Sequence, residues 1–137
     1  MAGHRDDDNH EHRGHDAVGG WQLTVTVTDP PSDPPFTFKT NTLFTSDGLV
    51  QQATSVIAST ALGIWIATGQ DRLQATFYIF RFDSEGPAGS SRVRATYELV
   101  SKDRIRGKAS VDQFDPDGRF IQTLLNTMEG TRMEIVP

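Results

Sequence analysis

The run from Gly63 to Phe82 limits the fold more than any other part of the chain. Two β-prone stretches flank Gly69-Gln70-Asp71, a short polar loop with a glycine, and this pattern spells a hairpin. The second stretch sets Leu73, Ala75, Phe77 and Ile79 on one face, with Tyr78, Phe80 and Phe82 on the other. A strand that is apolar on both faces near one end calls for cover on both faces there. One face fits a domain interior. The other needs a second surface, so a homo-oligomer, dimer or higher, is expected.

The remaining chain continues in short alternating runs. Trp21, Leu23, Val25 and Val27 share one face of a strand whose other face is threonine. Asp29 to Pro35 carries four prolines, which cannot donate to a strand ladder, and reads as an exposed loop. Phe36 to Thr45 is a second strand, ended by the turn signal Asp47-Gly48. Val50 to Ile57 fits both strand and helix spacing, and the all-β surroundings favour strand.

Asp83 to Ser91 reads as a loop, Arg92 to Val100 as a strand, and Ser101-Lys102-Asp103 as a turn. Ile105, Gly107, Ala109 and Val111 then oppose Arg106, Lys108 and Asp112. Asp115-Pro116-Asp117-Gly118 is a turn. Phe120 to Asn126 and Gly130 to Ile135 close the chain as strands. About eight or nine strands without a convincing helix predict a single antiparallel up-and-down β-barrel. Its domain spans residues 19–137, behind a disordered His- and Asp-rich tail over residues 1–18.

Composition excludes several chemistries. The 137 residues contain no cysteine, so disulfides, thiolate nucleophiles and thiolate metal ligands are out. All four histidines, His4, His10, His12 and His15, sit in the tail, where they imply only incidental metal affinity. A barrel without His or Cys holds no Ser-His-Asp triad and no His-ligated metal, so no metal and no cofactor are expected. The net charge is −5. Residues 1–18 hold five acids and two arginines, leaving a mildly acidic body without a basic patch, which argues against a nucleic-acid partner. No apolar run approaches the ~18 residues of a membrane helix. The N-terminus shows no hydrophobic signal segment, and a cytoplasmic protein is expected.

Gly19-Gly20-Trp21 matches the Gly-x-Trp that opens the first strand of calycins, and Arg132 lies where that group places an arginine across the tryptophan. On these residues and on strand order over 19–135, the chain resembles a lipocalin-like calycin barrel. The resemblance implies that Arg132 stacks on Trp21 and caps the barrel end. The disulfide and signal peptide typical of lipocalins are missing, so the chain is more similar to small intracellular bacterial lipocalin-like proteins and allene-oxide-cyclase-like barrels. Some of those act as cyclases or pericyclases on polyketide- or lipid-like substrates.

Large rings and small residues share the expected interior faces, which suits either a ligand cavity or an interdigitated solid core. On the cavity reading Phe38, Trp65 and Phe77 shape the site, and Thr40, Gln52 and Gln113 add polar contacts. Tyr97 is the candidate for orienting or protonating a carbonyl oxygen, although its hydroxyl would equally satisfy a backbone carbonyl. Two functions fit. One is a cofactor-independent cyclase or pericyclase that folds a hydrophobic substrate by confinement. The other is a non-catalytic barrel that carries a small hydrophobic molecule.

Overall fold

A computed structural model describes residues 16–137. Eight strands follow in order: β1 (Gly19–Asp29), β2 (Thr37–Phe44), β3 (Leu49–Thr54), β4 (Thr60–Gly69), β5 (Arg72–Asp83), β6 (Gly86–Ser101), β7 (Arg104–Phe114) and β8 (Phe120–Arg132). Each pairs antiparallel with the next, and β8 returns to β1, closing the barrel. Closure leaves no unpaired edge, and this disposes of the aggregation hazard of so β-rich a chain. The histidine tail lies outside the described residues.

The period-two pattern decides which residues face inward. In β1 Trp21, Leu23 and Val25 are buried, and Gln22 and Thr24 between them face outward. In β5 Leu73, Ala75, Phe77 and Ile79 are buried, while Tyr78, Phe80 and Phe82 stand outside. The outer face of β4 adds Leu62, Ile64 and Ile66, so an apolar stripe runs over the outside of β4 and β5. The ambiguous Val50 region resolves as a strand in β3, with Val50 and Gln52 inside.

Two sequence expectations shift. Phe120 to Asn126 and the run after Gly130 belong to one strand, β8, so the count is eight. Gly130 hides this continuity. It serves close approach, since a Cβ there would lie 1.9 Å from the Gln22 carbonyl oxygen of β1. The expected loop over Asp83 to Ser91 shrinks to a tight turn, because β6 begins at Gly86. Gly89 there has φ +124°, and a Cβ on it would lie 2.0 Å from the Phe114 carbonyl oxygen. Glycine and serine look like loop residues in a sequence but here permit tight strand pairing.

The two ends of the barrel differ. At the end where β1 starts and β8 stops, the Arg132 guanidinium lies 4.3 Å from the centroid of the Trp21 ring. Arg132 Nη1 donates to the Val18 carbonyl at 2.9 Å, and Nη2 donates to those of Asp16 at 2.6 Å and Lys102 at 3.0 Å. The Trp21 indole N–H donates to the Ala17 carbonyl at 2.8 Å. Ala17 is fully buried, so residues 16–18, grouped with the tail in the sequence reading, pack as the plug of this end. Beneath the plug Phe44, Leu23, Leu73, Ile105 and Val50 are almost wholly buried. Each contributes roughly 1.5–3 kcal/mol of burial energy.

Arg132→Ala removes the stack and leaves three carbonyls without their donor. We expect it to lower unfolding free energy by about 1–3 kcal/mol, with Arg132→Lys recovering only part because an ammonium lacks the planar fork. Urea midpoints of the three proteins check this.

Candidate ligand cavity

The opposite half of the barrel is open inside. A cavity of about 430 Å³ lies under the loops that join β1 to β2 and β3 to β4. Val25, Phe38, Phe77, Ile79, Val93 and Val111 supply its apolar wall from five strands. Pro30, Pro31 and Phe36 of the first loop and Val56 and Ile57 of the second line its mouth. The proline-rich segment therefore has a role at the entrance, where ladder bonds are not needed.

A row of alanines runs across the barrel wall beside the cavity. Trp65 pairs in register with Ala75, Ala75 with Ala95, Ala95 with Ala109, and Ala109 with Asn126. These small residues leave room for the Trp65 indole, as interdigitation demands. Trp65 itself is not on the cavity wall. Its indole N–H donates to the Thr45 carbonyl at 2.9 Å, and its ring meets Phe44 edge-on at 5.7 Å in the solid half. Thr40 is likewise off the wall, buried with its hydroxyl 3.2 Å from that of Thr42. The two candidates missed for one reason. Inward facing is legible from alternation, but depth along the barrel is not.

Phe38, Phe77, Gln52, Gln113 and Tyr97 do line the cavity. Gln113 Oε1 accepts a bond from Gln122 at 2.8 Å near the rim. Tyr97 stands at the boundary: it lines the cavity and packs edge-on against Phe44 at 5.4 Å. Burial pushes its phenol above the ordinary range, with no charged or hydrogen-bonding neighbour contributing. Its hydroxyl is thus a neutral donor at physiological pH. Ser91 and Asn126 also line the wall and were not singled out from the sequence. Ser91 fell inside a misread loop. Asn126 sits on an otherwise ordinary amphipathic strand, and no local pattern marks it.

No described lining residue carries a charge. The site has neutral hydrogen-bonding groups in an apolar chamber and no described nucleophile activated by a base. Its shape and chemistry suit an uncharged molecule, and the Tyr97 O–H can donate a hydrogen bond to an oxygen.

Because ionising Tyr97 is disfavoured only in the folded state, its stabilising share is intact below the ordinary phenol value of about 10 and declines as pH rises beyond it. Thermal melts from pH 8 to about 11 should show a shallower alkaline loss for Tyr97→Phe than for the parent protein.

No protein-family model matches the chain, and no curated protein matches it. Among the solved structures that share its fold are two β-barrels. EF1p2_mFAP2b, solved bound to DFHBI, superposes with a TM-score of 0.65 at 16% identity, over 90% of this chain and 98% of its own. The redesigned beta barrel b11L5F_LGL superposes at 0.59 with 18% identity, over 89% of this chain and 96% of its own. At such identities the likeness concerns the fold: this chain is an eight-stranded antiparallel β-barrel similar to small barrels, one of which was solved with a small molecule bound.

Proposed function

We propose that the barrel binds a small, uncharged, hydrophobic molecule in its open half and promotes cyclisation of that molecule by confining it. The carrying observation is a cavity of about 430 Å³ whose wall is apolar except for neutral hydrogen-bonding groups. Such a chamber matches the ordinary size and character of small-molecule sites. EF1p2_mFAP2b, similar in fold, was solved bound to DFHBI, which supports ligand uptake by this architecture.

The catalytic part rests on chemistry. A cyclisation or pericyclic step moves electrons within one substrate and needs no enzyme nucleophile, metal or redox partner. Holding the reacting atoms together supplies up to about 7–11 kcal/mol in favourable intramolecular cases. A hydrogen bond from the Tyr97 hydroxyl to a developing oxyanion would add to this. The polyketide- or lipid-like substrate class follows from the calycin-type resemblance and from the apolar wall. A carrier that binds without turnover uses the same cavity, and the two readings part at conversion.

The neutral dye N-phenyl-1-naphthylamine, whose emission rises in apolar surroundings, tests uptake. We expect binding to the parent protein and at least about tenfold weaker binding to Ala109→Phe or Val111→Phe, which fill the cavity. Equal binding by all three would place the dye elsewhere and remove the support for a ligand cavity. A molecule extracted from the natively produced protein then separates the readings. An enzyme converts the linear precursor to an isomer of equal mass, slowed by Tyr97→Phe, whereas a carrier returns it unchanged.

A further inference from the structure

Two side chains in the cavity are costly to the protein as it stands. Gln52 is 7% and Asn126 8% exposed, and both line the chamber. Gln52 Oε1 and Asn126 Oδ1 are sealed from solvent without a hydrogen-bond partner, and no bond joins either carboxamide to a described residue. Other polar side chains with a neighbour to use do so: Thr40 with Thr42 in the core, Gln113 with Gln122 at the rim, and Thr54 Oγ1, which accepts from the Ile57 N–H. Burying an amide unpaired destabilises a fold, and an apolar residue of equal shape would relieve the loss. A pair of such groups in one ligand-sized chamber therefore needs a reason beyond stability.

We propose that Gln52 and Asn126 form the polar recognition element of the site and read a neutral oxygen function, a carbonyl or hydroxyl, on an otherwise apolar ligand. This rests on the cavity being a ligand site. The carboxamide N–H groups donate to a carbonyl or hydroxyl oxygen, and the carboxamide oxygens accept only from a hydroxyl, with rotation about the terminal bond choosing which group is presented. The same chamber discriminates against carboxylates, because no described lining residue supplies a positive charge to offset their desolvation. Gln52 comes from β3 and Asn126 from β8, so the two amides face the chamber from different strands of its wall, while Phe77, Ile79 and Val93 take the hydrocarbon.

Three probes of similar shape test the idea by displacing N-phenyl-1-naphthylamine from the full chain: 2-acetylnaphthalene, 2-isopropylnaphthalene and 2-naphthoate. The variants are Gln52→Met and Asn126→Leu, singly and together, each close in volume to the native residue. In the parent protein the ketone should bind at least about tenfold more tightly than the carboxylate. In the double variant the ketone should lose at least about tenfold relative to the hydrocarbon, while reporter binding stays within a few-fold. The double variant should also melt a few degrees higher, since it buries no unpaired amide.

An unchanged ketone-to-hydrocarbon ratio with intact reporter binding would overturn the amide proposal and leave the cavity reading standing. A lower melting temperature in both single variants would show that the amides are already satisfied without a ligand, and would overturn it too. Failure of the reporter to enter the parent cavity would instead overturn the ligand reading, and this inference with it.

Discussion

The stack of Arg132 on Trp21 is the contact on which the rest of the barrel depends. It joins the first strand to the last, which lie next to each other only because the sheet has closed. Local hairpins form between sequence neighbours, but the β1–β8 seam must be closed across the whole chain at a large cost in loop entropy. A planar guanidinium that covers an indole and donates to the carbonyls of Val18, Asp16 and Lys102 secures this seam at its end. It also holds the segment of residues 16–18 in place as a plug, with Ala17 fully buried. A well-sealed, solid lower half then allows the upper half to stay open.

That division explains the distribution of residue types. The large rings Trp21, Phe44 and Trp65 crowd the sealed end, where Phe44 meets Trp65 edge-to-face. Above the alanine row the wall turns to valine, isoleucine and two phenylalanines, with amides and hydroxyls between them. Interlocked rings lie at one end, and the unpartnered amides of Gln52 and Asn126 line the open chamber. Such a split is expected where a site carries polar groups that only a ligand can satisfy. On the outer wall polar groups are treated differently. Asp112 faces outward yet is 4% exposed, because Arg92, Arg94 and Thr123 cover it, and the Arg92 and Thr123 hydrogen bonds hold its carboxyl below the usual range.

Much of the architecture was legible in the residues. Strict alternation in β1 and β5 assigns inside and outside residue by residue, and turn signals at Asp47-Gly48 and Asp115 to Gly118 place hairpin ends. Glycine misled where it served close packing: Gly130 split one strand into two, and Gly89 hid the start of β6. The site was less legible. Period two says that Trp65 and Thr40 face inward, but the height of each residue depends on strand tilt and stagger, which are properties of the closed sheet. Asn126 escaped notice because its meaning lies in the partner it lacks, which only the three-dimensional surroundings reveal.

Xenon-pressurised crystals test the central claim, a solid lower half beneath a ligand-sized open half, most directly, since the gas enters apolar space without needing a chosen ligand. The structure predicts xenon density in the chamber walled by Phe77, Ile79 and Val93, and none among Phe44, Trp65 and Leu73. An upper half filled by its own side chains and devoid of xenon would contradict the account.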